Sequence, residues 1–226
     1  MNGMNVVCVW IAELAPMTAT MIAFVYGVTH FFKKGKPLFG QSITMAMASY
    51  FLGSLYHFCL TFTSQELAEG FTPAYLGRMA FFLFIITASY GQLDRIVDDR
   101  SPITLPSRLI AFLAPICAIL LFLPSCFDTL APIETKIAYA VIWIPAVIST
   151  YFNLKHAIIP DCDFGFIKAI KPYNIFVLCL SFSELLSFVA WYYFNGVALV
   201  ITTIAFSIFS ICVVVSANKG VEKWTV

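Results

Sequence analysis

The sequence predicts an all-α, polytopic membrane protein with seven transmembrane helices, its N-terminus outside and its C-terminus in the cytoplasm. Three observations lead there. Apolar residues make up 61% of the 226-residue chain and charged residues only 11%, where a soluble domain carries about a quarter charged residues. Seven stretches reach the roughly 20 mostly apolar residues that a helix needs to cross a bilayer. Eleven of the thirteen Lys and Arg residues fall in alternate connections and the C-terminal tail, the asymmetry that marks cytoplasmic loops. A water-soluble fold could not hide this much apolar surface. The formal charge of +1, without any dense basic patch, gives a nucleic-acid partner nothing to hold.

The spans follow in order. The first runs from Val6 to Phe32 and contains Pro16; Lys33, Lys34 and Lys36 follow it. The second runs from Ser42 to Phe62, with Glu66 and Glu69 beyond it. The third, Ala74 to Leu93, closes on the charged run Asp94-Arg95-Ile96-Val97-Asp98-Asp99-Arg100. The fourth covers Leu109 to Phe127, the fifth Ile137 to Leu154 around Pro145, the sixth Tyr173 to Phe194 and the seventh Val197 to Ala217. Asn195-Gly196 leaves a two-residue connection between the last two, which makes those helices antiparallel neighbours. Lipid offers an unpaired amide no partner, so the spanning backbone is helical. Every connection is short, and residues 1–226 form one transmembrane domain.

The N-terminus lacks a basic leader, and its first apolar run continues into a full span, so no cleavable signal is expected. That fits a bacterial cytoplasmic membrane. Seven cysteines are scattered without any CxxC pair. Cys8, Cys59 and Cys126 fall toward the outer side, but their spacing alone does not pair them.

Spans one to three and five to seven lay over each other as halves 1–93 and 135–217, joined by a linker helix at 107–127. Pro16 and Pro145 lie at similar depths in spans one and five, and Lys36-Pro37 matches Lys171-Pro172 before the next span. Ser49-Tyr50-Phe51 then falls in register with Glu184-Leu185-Leu186. An odd number of spans per half, plus one linker, gives both halves the same orientation: a parallel three-plus-one-plus-three repeat. In span count, orientation and the Pro16 and Pro145 pair, the plan resembles that of the SWEET sugar transporters and the vitamin transporters sharing their fold. The Pro-Gln signature of the sugar transporters is missing, since Met17 follows Pro16 and Ala146 follows Pro145. The resemblance is architectural. It implies a solute carrier with Pro16 and Pro145 as hinges; the plainer role of each proline is a packing kink.

Ionisable groups within spans are costly and mark function by default. Four stand out: Glu13 in span one, His57 in span two, Arg78 in span three and Glu184 near the middle of span six. Glu13, His57 and Arg78 share the outer third of the bilayer. A mid-bilayer carboxylate either pairs with a cation or takes up a proton. Glu184 has no cation in its own helix at i±3 or i±4 and is surrounded by Ser181, Ser183 and Ser187, which suggests a polar crevice. Tyr56, Tyr90, Gln92 and Trp191 are candidates to complete it. The structural alternative is that Arg78 pairs with Glu13 or Glu184 as interhelical glue.

Asp94 and Asp98 share a helix face if span three continues, as weak candidates for a Mg²⁺–diphosphate site. The preferred reading is a solvated, salt-bridged helix end. Span seven has no Lys for a retinal Schiff base. His30, His57 and His156 fall on two sides of the membrane, which excludes a three-His zinc site. This argues against seven-span hydrolases of the ceramidase and adiponectin-receptor type, despite Ser54-Leu55-Tyr56-His57. No GxSxG, HExxH or P-loop occurs, and no cofactor is indicated.

The leading expectation is a small-solute transporter, proton-coupled through Glu184. Its substrate would sit near mid-bilayer among Glu13, Ser49, Tyr50, His57, Arg78, Glu184 and Trp191. The second is a sensor or receptor signalling through a separate partner. The third, ranked lower, is an intramembrane lipid-modifying enzyme using Asp94, Asp98 and Asp99. Beyond the lipid bilayer and a small-molecule ligand, the partner expected is a second copy or a signalling protein.

Overall fold

The computed structural model describes residues 6–64, 72–94, 104–127, 133–159, 166–193 and 196–224, all helical apart from short flanking turns. Helix α1 is Val6–Phe31 and α2 is Leu38–Ser64. Helix α3, Pro73–Ile86, runs without a break into a π-helical segment at Thr87–Leu93. Helices α4, Leu105–Ala111, and α5, Leu113–Phe127, follow. Helices α6, Ile133–Ile158, α7, Phe166–Tyr193, and α8, Gly196–Trp224, complete the chain. Seven helical stretches are long and apolar enough to cross a membrane, with α4 and α5 jointly supplying the fourth.

Two boundaries differ from the sequence expectation in ways that matter. The fourth span is broken at Phe112. Pro115 has no N–H to give the Ala111 carbonyl, and its ring crowds that carbonyl, so the helix yields one turn upstream. The fifth span, α6, runs on past Leu154 to Ile158, which carries Lys155 and His156 onto the helix and into the bundle.

Helices α1, α2, α3, α6, α7 and α8 close a ring in that order, each packing on the next and α8 returning to α1. Helices α4 and α5 lie outside it against α6, with α5 also touching α7. The ring interior is filled by Phe39, Ile43, Met47, Tyr50, Phe81, Phe82, Ile85, Val177, Leu180 and Phe206, all buried. The outward faces carry large apolar side chains such as Met21, Ile22, Leu109, Leu120, Ile144, Ile201 and Ile208, as expected where lipid is the solvent.

Two features set the geometry of the site. Gly53 of α2 and Gly77 of α3 let the backbones nearly touch. A Cβ on Gly77 would lie 2.7 Å from the Ser49 carbonyl oxygen and 2.8 Å from the Gly53 Cα. Small residues permit such crossings in membrane bundles, and this one brings Arg78 over α2. Helices α2 and α7 meet across the ring at matched depths: Phe39 packs edge-on against Tyr173, centroids 5.0 Å apart, and Tyr50 bonds Glu184. Both pairs have the same sequence separation of 134 residues. Only helices running in the same direction can keep that offset constant.

Candidate functional site

Five of the residues expected at the site come together in the half of the bundle nearer the N-terminus. Tyr50 sits midway along α2 and is fully buried. Its hydroxyl donates to Glu184 Oε2 at 3.0 Å. Arg78 of α3 places Nη1 3.5 Å from Glu184 Oε1. Its guanidinium lies 5.5 Å from the Tyr50 ring centroid and 5.8 Å from that of Phe188 on α7. Glu13 of α1 faces His57 of α2, with Nε2 3.5 Å from Oε1. The two pairs form one electrostatic cluster, since Glu13 also feels Arg78 and Glu184. Four ring helices thus each contribute at least one polar or ionisable group.

The surroundings are aromatic. Tyr50 stacks on Phe206 at 4.6 Å and meets Phe81 edge-on at 5.4 Å. Phe188 is held from α6 by Tyr139 at 4.9 Å and Trp143 at 6.1 Å. Glu184 is therefore sealed, at 2% exposure, while the Arg78 and Glu13 side chains keep 22% and 19%. Carboxylates this buried are rare in proteins unless paired.

The remaining expected residues lie elsewhere. Ser49 turns its hydroxyl to the Met45 carbonyl of its own helix. The hydroxyls of Ser181, Ser183 and Ser187 likewise donate to carbonyls within α7, so they leave Glu184 without a hydroxyl-lined crevice. Tyr56 and Tyr90 are exposed on the outer surface. Trp191 packs partly buried against Ala12, Ala190 and Leu199 near the end of the bundle. Pro16 and Pro145 are both buried; Thr20 donates to the Pro16 carbonyl at 2.7 Å.

A second polar cluster occupies the opposite half, at the helix end expected to be salt-bridged; its partners on α6 are not among the residues singled out from sequence. Asp94, at the end of the π-helical segment, is bound by Lys155 and by His156, whose Nε2 is 2.9 Å from Oδ1. Lys155 and His156 are both buried. Above them Ser89 donates to Asn153 Oδ1 at 3.3 Å, and Asn153 Nδ2 donates to the Ser149 carbonyl at 2.8 Å. Burial works to raise the Asp94 pKa, but the hydrogen bonds from His156 and Lys155 and their charges outweigh it and hold the carboxyl below its ordinary value. Asp94 is thus committed to a Lys–His clasp; Asp98, its proposed partner in metal binding, lies outside the described residues. The signal available in sequence was the adjacent Lys155-His156 pair beside Asn153, polar residues that the end of an apolar helix does not otherwise need.

Comparisons with family models, curated proteins and solved structures give no match to this chain.

Proposed function

We propose that the protein carries a small solute across a membrane, with the N-terminus outside and the Glu184 cluster as the binding site. The carrying observation is Glu184 itself: a sealed carboxylate deep in a ring of helices, held by a hydroxyl from α2 and a guanidinium from α3. Intramembrane ionisable residues are costly and mark substrate and proton pathways. Below the cluster, Met47, Ile85, Val177 and Leu180 form a buried apolar layer, and the Asp94 clasp closes the far half. Two polar clusters separated by an apolar layer are an arrangement that alternating access can use.

A parallel repeat has independent support. The neighbours α1–α2–α3 are matched by α6–α7–α8, and the closing contacts α1–α8 and α3–α6 exchange under that correspondence. The constant 134-residue offset between α2 and α7 agrees within one residue with the register of Ser49 and Glu184. Helices α4 and α5, outside the ring, then act as the linker. Transporters built this way rock one repeat against the other around a fixed site, and buried Pro16 and Pro145 mark corresponding places for bending.

The test is uptake by proteoliposomes of solutes that first register in a thermal-shift screen at acidic and neutral pH. Glu184→Gln, close to isosteric, is expected to fold and to abolish uptake. Full uptake by well-folded Glu184→Gln protein refutes the assignment.

A further inference from the structure

The Arg78–Glu184 pair is looser than a permanent staple. An Arg–carboxylate bond that serves as glue closes to about 2.8 Å, often with two parallel N–H···O contacts. Here Nη1 stands 3.5 Å from Oε1, and Oε1 accepts no hydrogen bond although the side chain is 2% exposed. Tyr50 satisfies Oε2 alone. The guanidinium lies against two aromatic rings, Tyr50 and Phe188. A carboxylate with an open lone pair, beside two ring faces, is how proteins recognise organic cations. A second carboxyl group stands near Arg78 as well: Glu13 lies within its electrostatic reach and, among the described residues, pairs with His57 at 3.5 Å. Glu13 and Glu184 thus offer two carboxyl groups to the one guanidinium of Arg78.

We infer that Arg78 is a tethered stand-in for the substrate, and that the site takes an organic monocation, a guanidinium or primary ammonium, that displaces Arg78 from Glu184 toward Glu13. The incoming N–H groups dock on Glu184 Oε1 and the cation lies over Tyr50 and Phe188. Arg78 moves to Glu13, so neither carboxylate is left buried and unpaired, the state that is strongly unfavourable in a low-dielectric interior. The substrate class rests on the transport reading above; the binding event does not.

The experiment uses the full chain in detergent, with methylguanidinium and butylammonium as probes and sodium and butyrate as controls at matched ionic strength. Arg78→Ala is expected to lose thermal stability and to regain it with millimolar methylguanidinium. It should bind that probe about tenfold or more tightly than the wild type, which must first release its own cation. Rescue should vanish when Glu184→Gln is added. Equal rescue by sodium or butyrate, or rescue that survives Glu184→Gln, overturns the proposal. If Arg78→Ala does not fold, calorimetry on the wild type decides. Methylguanidinium binding that Glu184→Gln abolishes supports the site, and absence of binding refutes it. Binding without uptake by proteoliposomes removes transport and leaves the cation site standing. Uptake of a solute that methylguanidinium does not compete with overturns the cation site and leaves transport standing.

Discussion

Two carboxylates, Glu184 and Asp94, are each paired with cations from other helices, and their settings assign them different tasks. Glu184 has one loosely placed cation and an open oxygen. Asp94 has Lys155 Nζ and His156 Nε2 bound closely to one oxygen, which ties the end of the π-helical segment to α6. Asp94 stands just beyond the span that ends at Leu93, and its pKa is lowered from 3.8 despite burial, by the His156 and Lys155 bonds. A carboxylate with a depressed folded pKa stabilises the fold above its unfolded pKa, and that contribution fades as pH falls through the folded value. The thermal midpoint of the wild type should therefore fall more steeply than that of Asp94→Asn below about pH 4. At neutral pH the variant should already be the less stable, having left Lys155 buried with less compensation. Parallel curves in a pH-series melt would show that the clasp contributes nothing.

At the scale of elements, the α2–α3 crossing positions the site, and it rests on the absence of two side chains. The atoms that a Gly77 Cβ would meet at 2.7 and 2.8 Å are backbone, which cannot turn aside as a rotamer can. Gly77→Ala must push α2 from α3 and carry Arg78 away from Tyr50. A destabilisation of about 1–3 kcal/mol is expected, as for other overpacked interfaces, together with weaker ligand binding. Gly91→Ala is the control: its nearest neighbour would be Thr87 Cγ2 at 4.0 Å, and it should leave the melting temperature unchanged or slightly higher. Unaltered stability of Gly77→Ala would mean that the helices are not in this contact. Neither glycine attracts notice in sequence, because a lone Gly in an apolar helix has the same spelling whether it faces lipid or a neighbour. The π-helical segment at Thr87–Leu93 was equally silent, since it depends on how Ser89 and Asp94 are held by α6. The break at Phe112 did have a local cause in Pro115. Spans themselves were legible because their length and apolarity are set by the bilayer, and Glu13, His57, Arg78 and Glu184 because charge in such a span must find a partner. What sequence could not supply was the partnering: Tyr50 with Glu184 and Asp94 with His156 join residues 134 and 62 positions apart, and no periodicity within one helix records them.

For the whole molecule, the folded chain sharpens the charge asymmetry read from the sequence. Arg78, counted there among the few basic residues of the outer side, is drawn into the bundle and bound to Glu184. Among the described residues that leaves Lys136 as the one basic residue at the end of the bundle near the starts of α1, α3, α6 and α8. The opposite end carries Lys33, Lys34, Lys36, Arg108, Lys155, Lys168, Lys171, Lys219 and Lys223. Lys and Arg flanking short loops resist translocation, so the crowded end should face the cytoplasm. In a cysteine-free background, Lys34→Cys and Lys223→Cys are expected to resist a membrane-impermeant maleimide in intact cells and to react after permeabilisation. Glu134→Cys should react in intact cells. This pattern would put the Glu184 cluster in the outer half, open first to solutes from outside, with the Asp94 clasp closing the cytoplasmic half. The reverse pattern would leave the ring and both clusters as they are but make the clasp the outer closure. The site of the proposed carrier would then lie in the cytoplasmic half, so the labelling result decides which side of the membrane the proposed Arg78 exchange lies nearer.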